Sequence, residues 1–320
     1  MLLHEPAISV LMPAFNAETY IGEAIASVLN QGFADFELII VNDGSTDHTE
    51  KIIRSFNDPR IVLVNQPNAG IAAALNKGMA IARADLIARF DADDICCAER
   101  LQVQYDFLSA NPDYIITGSD ADFIDRDNNY VFTYSPPWHS NEAIQALEKI
   151  ICPFIHSGVL FRKEVIIQAG GYNQHAHAFE DHLLWRKIVK LGKVCNIPKV
   201  LLKVRLNPES ITIDEKWYHK RFLEIKYQAI EKGNISAEEG NELKSILIMQ
   251  GNRRVKEGAY YSLLGKKYLW NNYQPQKART NLKKTLRIQP LDMNTWVLFL
   301  LSYMPEGFIQ KLYARWGTVK

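Results

Sequence analysis

Residues 36–47 read Phe-Glu-Leu-Ile-Ile-Val-Asn-Asp-Gly-Ser-Thr-Asp, an apolar run that ends in a polar turn. An apolar run of this length, bounded by turn residues, is typical of a strand that is buried on both faces. Similar runs occur at residues 8–16 and 86–94, and apolar residues at helical spacing lie between the runs, at 18–29 and 70–82. This alternation predicts an α/β fold with a mostly parallel central sheet flanked by helices.

Polar or turn-forming residues follow three of the predicted strands. They are Pro13-Ala14-Phe15-Asn16, Asn42-Asp43-Gly44-Ser45 and Asp91-Ala92-Asp93. In open parallel sheets ligands bind beyond the carboxyl ends of the strands, where these residues lie. We therefore expect the three segments to converge on one cleft.

The length of 320 residues favours two domains. We place an α/β domain at residues 1–213 and a basic, mainly helical region at 214–320. Residues 245–320 contain 13 Lys and Arg against 3 acidic residues, a net charge of +10, although the whole chain carries only +1. The near-neutral total argues against a dedicated nucleic-acid-binding protein.

The four cysteines form no CxxC pair and no disulfide framework; they are Cys96, Cys97, Cys152 and Cys195. This usage favours a reducing compartment. The first residues do not resemble a signal peptide, and no stretch approaches the ~20 apolar residues that a membrane-spanning helix needs. We therefore expect a cytoplasmic location without a membrane span.

Asp91 and Asp93 are the strongest local indication of chemistry, because both follow a buried strand and only one residue separates them. Carboxylate oxygens suit Mg²⁺ or Mn²⁺, which usually take one or two protein carboxylates and complete their coordination with phosphate and water. The pair therefore suggests a metal–diphosphate site. The alternative is that both acids are solvated loop residues, and this pair alone does not decide between the two.

Other candidate residues each have a structural alternative. Asp43 could accept a hydrogen bond from a nucleobase, or it could serve only the turn that contains it. Phe15 could stack on a base or fill the core, and His156 could contact substrate or be a satisfied interior group. The acidic pair Glu180-Asp181 could face the cleft or merely compensate a helix dipole.

Taken in order, the motifs resemble those of the inverting family 2 glycosyltransferases, which have the GT-A fold. The resemblance covers residues 7–212. It rests on these stretches: residues 8–16, 27–31 and 36–47, Asn68-Ala69-Gly70, Asn76-Lys77-Gly78, Asp91-Ala92-Asp93-Asp94, Gly170-Gly171-Tyr172 and Glu180-Asp181. The number of ordered matches makes the resemblance specific.

The resemblance implies a metal-dependent inverting glycosyltransferase with Mn²⁺ or Mg²⁺ as cofactor. The donor would be a nucleoside-diphosphate sugar, with a UDP-sugar favoured, and the transferred group a hexose or an N-acetylhexosamine. The acceptor would be a hydroxyl of a glycan or a lipid-linked molecule in cell-surface polysaccharide synthesis.

The resemblance also implies roles for individual residues. Nucleotide contacts fall on Pro13, Ala14, Phe15, Asn16, Asp43, Asn68 and Asp91. Asp93 would bind the metal, with Asp91 serving the metal or the ribose, and Asp181 would be the catalytic base, supported by Glu180. His156, Arg205 and Ser210 would contact the donor or the acceptor.

The sequence departs from the family pattern at two positions. Asn42 precedes Asp43 where the family usually has a second Asp, and little effect is expected because the second acid is the base contact. Arg205-Leu206-Asn207 stands where the family often has Arg-x-His, so any help from that His would be missing.

Three other classes of protein are alternatives to a glycosyltransferase. Asp91-Ala92-Asp93 also resembles the nucleophile loop of haloacid-dehalogenase-type phosphatases, but Ile95 stands where that motif carries Thr or Val. A non-catalytic protein that binds sugar nucleotides, or a scaffold, is a second alternative. A dehydrogenase is disfavoured because no Gly-x-Gly-x-x-Gly follows the first strand.

The C-terminal region allows two interpretations. A helical hairpin is predicted over residues 259–296, and the apolar run at 296–301 lies close in sequence to Phe308, Lys311 and Arg315. Cations beside aromatic and apolar side chains suit a peripheral contact with an anionic membrane on its cytoplasmic face. Alternatively, the apolar residues pack back on the enzyme or on a second copy of the chain, which would dimerise it.

Overall fold

The structure is a computed structural model, and it describes residues 5–208, 219–250 and 252–316. The strands in this part of the chain are β1 (Ile8–Ala14), β2 (Phe36–Asp43), β3 (Ile61–Gln66), β4 (Leu86–Arg89), β5 (Ile95–Cys96), β6 (Tyr114–Ile124), β7 (Tyr130–Tyr134), β8 (Leu160–Arg162) and β9 (Lys193–Arg205). They form one mixed sheet in the order β3-β2-β1-β4-β8-β6-β9-β5, with β7 paired to β6.

Helices follow most of the strands in the first half of the chain. They are α1 (Ile21–Leu29), α2 (Thr49–Arg54), α3 (Ile71–Ile81), α4 (Arg100–Ala110), α5 (Asn141–Leu147), α6 (Lys163–Gln168) and α7 (Glu180–Ile188). The later helices are α8 (Lys220–Lys232), α9 (Ala237–Gln250), α10 (Arg253–Trp270), α11 (Pro275–Ile288), α12 (Met293–Leu301) and α13 (Glu306–Trp316). A short 3₁₀ helix spans His156–Gly158.

The parallel half of the sheet contains β1 to β4. β1 lies between β2 and β4 and is parallel to both, and β2 is in turn parallel to β3. Parallel neighbours end at the same edge of a sheet, so the segments after these four strands share one edge. Three further pairs, β4 with β8, β6 with β8 and β5 with β9, are antiparallel.

Burial explains why these segments become strands and helices. Every residue of β1 and β2 is buried, as expected for strands that helices cover on both faces. In α1 the buried residues Ile21, Ala24, Ile25 and Val28 repeat at helical spacing and face the sheet. Replacing the fully buried Ile25 by Ala would cost about 2–5 kcal/mol through the cavity it leaves.

The described residues divide into two compact units that are each discontinuous in sequence. The first contains residues 5–121, 134–204 and 224–243, and the second contains the described residues of 122–133, 205–223 and 244–316. The sequence predicted a domain boundary between residues 213 and 214. The two units divide the chain differently, and the predicted boundary stays a prediction.

The second unit is mainly helical. α10 and α11 form the helical hairpin that the sequence predicted, with Tyr268, Ala278 and Leu282 buried. A β-turn segment of this unit is fixed by Asp125, whose carboxylate accepts hydrogen bonds from the backbone of Asn129 and from the Tyr268 hydroxyl. None of the helices in the described ranges is long and apolar enough to cross a bilayer.

Candidate active site

The loops after β1 and β2 are joined by hydrogen bonds. Asn16 has a φ of +47° and donates its backbone N–H to Ser45 Oγ at 3.0 Å, while its side-chain oxygen accepts from Thr46 N at 2.8 Å. Pro13 and Ala14 are buried at the end of β1. The Phe15 side chain that follows them is 51% exposed. Phe15 is therefore not a core residue, and its ring is accessible for stacking.

Asp43 organises the loop between β3 and α3. Its carboxylate is 3% exposed and accepts hydrogen bonds from Gln66 Nε2 at 2.7 Å, Ala69 N at 2.9 Å and Gly70 N at 2.8 Å. Oδ1 receives two of these bonds and Oδ2 receives one, so Oδ2 keeps one acceptor position for a ligand. The contact with a nucleobase stays a prediction.

Gly44 brings the chain close to this loop. It has a φ of +74°, and a Cβ at this position would lie 2.6 Å from Asn68 N. A side chain would therefore collide with backbone, and the left-handed conformation also favours glycine. The close approach fixes the exposed Asn68 beside the Asp43 turn.

Arg89 and Asp91 form an ion pair at the end of β4. The Arg89 side chain is 2% exposed and the Asp91 side chain 32%, and Arg89 Nη1 contacts Asp91 Oδ2. Burial acts to lower the pKa of Arg89, but the attraction of Asp91 outweighs it and raises the pKa, so Arg89 stays charged. The Asp91 N–H donates to Ser157 Oγ at 3.0 Å, which fixes the turn to the 3₁₀ helix.

Asp93 follows Asp91 on the same turn and is half-buried. No group of three or more His, Cys, Asp or Glu side chains in the described residues could hold a metal ion without further ligands. Two neighbouring, partly accessible carboxylates nevertheless fit a Mg²⁺ or Mn²⁺ ion that obtains its other ligands from phosphate and water. Asp91 and Asp93 therefore suit a metal that binds together with a diphosphate.

The acidic pair Glu180-Asp181 lies in the first turn of α7. Glu180 is 7% exposed, its Oε2 has no hydrogen-bond partner among the described residues, and burial followed by repulsion from Asp181 raises its pKa to about 8. Asp181 is half-buried and accepts hydrogen bonds from His182 N at 2.7 Å and Cys152 Sγ at 3.5 Å. The protonated form of Glu180 is favoured at neutral pH, and Asp181 is the more accessible proton acceptor.

An aromatic cluster of His156, Tyr172 and Trp185 lies beside these carboxylates. His156 Nε2 is 2.9 Å from the Tyr172 hydroxyl, and the His156 ring lies 5.7 Å from the ring of the fully buried Trp185. Burial and the positive charge of Arg89 hold the pKa of His156 well below its usual value. His156 is therefore neutral and can act as a hydrogen-bonding group.

Tyr172 connects the two acidic parts of the site. Burial raises the pKa of its hydroxyl, and the charges of Arg89, Asp181, Glu180 and Asp91 all act on it. The turn after β4 and the start of α7 therefore meet around this side chain. The structure thus places Asp91, His156, Glu180 and Asp181 around Tyr172, and the roles that the resemblance implies for them stay predictions.

Arg89 and Tyr172 received no role in the sequence analysis. Arg89 could have been identified as a charged residue at the end of an apolar strand, directly before the acidic turn. Tyr172 was part of a quoted motif, but only the fold shows that its hydroxyl contacts His156.

Arg205 and Ser210 are the two remaining predicted contacts. Arg205 belongs to the second unit, where its guanidinium is 2% exposed and donates to Asp125 O and to Asn128 Oδ1. Its role at the diphosphate stays a prediction. Ser210 lies outside the described residues.

Comparisons with known proteins identify the family. The family model described as "Glycosyl transferase family 2" matches residues 9–170. The amylovoran biosynthesis glycosyltransferase AmsE of Erwinia amylovora is 31% identical over 215 residues, which are 65% of this chain and 80% of that protein. An uncharacterized glycosyltransferase of Haemophilus influenzae is 30% identical over 239 residues, 71% of this chain and 88% of that protein. The chain belongs to glycosyltransferase family 2.

Solved structures support the fold. Residues 1–349 of S. aureus TarS in complex with UDP match with a TM-score of 0.54 and 17% identity, over 96% of this chain and 91% of that chain. The mannosyltransferase PcManGT from Pyrobaculum calidifontis, in complex with GDP-Man and Mn²⁺, matches with a TM-score of 0.55 and 16% identity, over 98% of this chain and 88% of that chain. The predicted GT-A fold with C-terminal helices is confirmed, and so is the predicted family.

The match to the family model ends before α7. Glu180 and Asp181, as well as Arg205, lie beyond residue 170. The family match therefore does not address the roles predicted for these three residues, and those roles stay predictions.

Proposed function

We propose that this glycosyltransferase is a metal-dependent inverting enzyme of cell-surface polysaccharide synthesis. It transfers a hexose or an N-acetylhexosamine from a nucleoside-diphosphate sugar, with UDP favoured, to a hydroxyl of a glycan or lipid-linked acceptor. The observation that carries this proposal is the buried Tyr172 hydroxyl, which hydrogen-bonds His156 and on which the charges of Asp91, Glu180 and Asp181 act. AmsE, named for amylovoran biosynthesis, supports the class of product.

The nucleotide binds at the joined loops after β1 and β2. The exposed ring of Phe15 stacks on the base, and the remaining acceptor position of Asp43 receives a base N–H. TarS has been solved with UDP and with UDP-GlcNAc, and PcManGT with GDP-Man, which supports a nucleoside-diphosphate sugar as donor.

The diphosphate lies at the turn after β4. Asp93 and Asp91 would hold Mn²⁺ or Mg²⁺, which when bound offsets the negative charge that develops on the leaving diphosphate. Arg89 supplies a permanent positive charge behind Asp91 and keeps this carboxylate oriented.

Asp181 acts as the general base. Its carboxylate takes the proton of the acceptor hydroxyl while that oxygen forms a bond to the anomeric carbon. The bond from the anomeric carbon to the donor phosphate oxygen breaks, and its electron pair leaves with the nucleoside diphosphate. A single displacement from the opposite face inverts the anomeric configuration.

Glu180 and His156 support this step without taking up the proton. Burial favours the protonated form of Glu180, so a second negative charge is not placed beside Asp181 before the reaction. The neutral His156 is held by Tyr172 and can hydrogen-bond the transferred sugar.

We also propose a cytoplasmic location. None of the four cysteines is in a disulfide, and Cys96 and Cys195 are buried thiols. Free thiols suit a reducing compartment.

A donor screen followed by a turnover assay tests the proposal. The full chain is heated with UDP- and GDP-sugars in the presence and absence of Mn²⁺, because a ligand that binds the folded state raises Tm by mass action. The stabilising donor is then incubated with hydroxyl acceptors, and NMR identifies the anomer formed. Transfer with inversion is expected. Tight donor binding without turnover on any acceptor would instead support the non-catalytic sugar-nucleotide-binding protein, and a retained anomeric configuration would contradict the mechanism.

A further inference from the structure

Helix α12 exposes its apolar side and buries its polar side. Met293, Trp296, Val297 and Leu300 are 71%, 41%, 48% and 62% exposed. They recur at i, i+3, i+4 and i+7, so they form one stripe along the helix, here called the α12 stripe. On the opposite side, Thr295 in α12 and Ser302 directly after it are fully buried.

Hydrogen bonds fix the helix in this orientation. Asp292 caps its start by accepting from Asn294 N at 3.1 Å and from Thr295 Oγ1 at 2.6 Å. At its other end, Arg279 Nη1 in α11 donates to Ser302 O at 2.6 Å. A rotation of α12 that buried the stripe would break the Arg279–Ser302 bond and expose Thr295, so the exposure of the stripe belongs to the folded unit.

Cations lie next to the aromatic rings of this helix. The Arg279 guanidinium lies 4.7 Å from the ring of Tyr303, and Lys283 Nζ lies 5.8 Å from the ring of Phe299. Further exposed apolar side chains adjoin the stripe in sequence, at Leu291, Tyr303, Met304 and Phe308. The surface therefore combines an apolar stripe with neighbouring positive charges.

We propose that the α12 stripe docks on an anionic membrane surface. A short helix that presents Trp, Leu and Met beside Lys and Arg places its apolar residues at the level of the lipid headgroups. The cations remain at the charged surface, where anionic lipids attract them. The net charge of +10 in residues 245–320 gives this region the sign that an anionic surface requires. The inference is independent of the sugar transfer proposed above.

The positive charges beside the α12 stripe favour an anionic membrane, rather than a second copy of the chain, as the surface that covers the stripe. In a symmetric dimer through the α12 stripe, Arg279 and Lys283 of each copy would approach the same cations of the other. Like charges brought together at an interface are repelled, whereas anionic lipids neutralise them.

Vesicle binding of the full chain tests the proposal. We expect binding to vesicles of phosphatidylcholine with about 30% phosphatidylglycerol, at least ~10-fold weaker binding to phosphatidylcholine alone, and weakening by 0.5 M NaCl. The double variant Met293→Ser/Leu300→Ser should bind the anionic vesicles at least ~10-fold more weakly, because it removes the apolar carbon atoms that would insert into the membrane. Both side chains are exposed, so its Tm should equal that of the wild type.

A matched control separates the stripe from general surface hydrophobicity. Ile150 and Ile167 are 67% and 61% exposed and lie in the first unit. The variant Ile150→Ser/Ile167→Ser should bind anionic vesicles within ~2-fold of the wild type. Equal losses in both double variants, or no binding by the wild type, would overturn the proposal.

Two further readouts complete the test. Light scattering without lipid should give the same molecular mass for the wild type and the α12 variant, whereas a wild-type dimer that the variant dissociates would show a second copy as the occupant. Turnover of a water-soluble donor and acceptor should be the same in both proteins. Failure of the membrane proposal thus leaves the transferase proposal unaffected, and the reverse also holds.

Discussion

The guanidinium of Arg89 is buried at the end of β4 and forms an ion pair with Asp91, two residues further along the chain. Its Nε has no hydrogen-bond acceptor in the part of the chain that the structure describes. The same charge lowers the pKa of His156 and acts on Tyr172. Arg89 is therefore a buried cation among the acidic groups of the site, and we interpret it as a positioning residue.

Replacing Arg89 with Met should change both stability and the titration of His156. Loss of the buried cation leaves Asp91 without its partner, and since Asp91 is partly exposed we expect a cost of about 1–3 kcal/mol. The pKa of His156 should rise, although burial will still hold it below its usual value. NMR titration of the imidazole measures the shift. An unchanged His156 titration would contradict the electrostatic role, and Arg89→Lys should preserve the low pKa.

Glu180 should make the enzyme less stable as the pH rises. Its pKa in the folded chain is about 8, above the 4.5 of an ordinary Glu, so its contribution to stability is complete below pH 4.5. That contribution is lost progressively as the pH rises from 4.5 through about 8, because over this range Glu180 is ionised in the unfolded chain but still protonated in the folded chain. Glu180→Gln keeps the neutral shape and should remove this dependence.

Melting curves between about pH 5 and pH 9 measure the effect of Glu180. At pH 9 the Glu180→Gln variant should be more stable than the wild type by a few kcal/mol, at about 1.4 kcal/mol for each unit of the pKa difference. Near pH 5 the two proteins should be alike. A parallel pH dependence in both proteins would show that Glu180 is not the group that titrates. Asp181→Asn should reduce the dependence, because repulsion from Asp181 is the second cause of the raised pKa.

Asp181→Asn should lower kcat by about 10²–10⁴-fold and leave donor binding near normal, because a positioned general base contributes about this much. Steady-state kinetics with the donor found in the screen measures kcat, and calorimetry with UDP measures binding. Glu180→Gln is the neighbouring control and should lower kcat less. Wild-type turnover by Asp181→Asn would remove Asp181 from the role of base.

The sequence predicted the parts of the site that lie at strand ends. Asp43 and Asp91 follow apolar strands, and β1 to β4 are parallel, so their position at one edge follows from the chain itself. The first turn of α7 was also predicted, at Glu180-Asp181. The spacing of apolar residues and the positions of turn residues suffice to predict such features, because these features depend on local sequence.

Features that depend on tertiary packing could not be predicted from the sequence. From the sequence alone Phe15 could fill the core, and only the fold shows that its side chain is half exposed. Arg89 stands out in the sequence as a charged residue at the end of an apolar strand, but only the fold shows that it is buried and paired with Asp91. The apolar residues of α12, such as Leu300, would be expected in a core by composition, but burial of Thr295 and the hydrogen bond from Arg279 leave them exposed.

Asp93→Ala should abolish the effect of metal on donor binding. If Asp93 ligates Mn²⁺ beside the diphosphate, UDP should bind the wild type more tightly with Mn²⁺ than without it, and the variant should bind equally in both conditions. Titration calorimetry with and without Mn²⁺ measures the difference. The control is Asp106→Ala, which changes an exposed Asp on α4 that accepts a hydrogen bond from Gln102. A metal effect that persists in Asp93→Ala would reject the assignment.

Asp43→Asn should weaken both the loop and nucleotide binding. Both carboxylate oxygens of Asp43 accept hydrogen bonds, so the NH₂ group of an Asn side chain in either position places a donor opposite a donor. At least one N–H, from Gln66, Ala69 or Gly70, then loses its partner, which costs about 1–3 kcal/mol in a buried position.

Gln66→Met provides the comparison for Asp43→Asn, because it removes one donor and leaves both backbone hydrogen bonds to Asp43 in place. Urea unfolding should show a smaller loss of stability for Gln66→Met than for Asp43→Asn, and UDP affinity should follow the same order. If Asp43→Asn unfolded like the wild type but lost UDP binding, Asp43 would serve only to bind the nucleobase. If it lost stability and bound UDP normally, the carboxylate would serve the loop alone and the predicted base contact would be wrong.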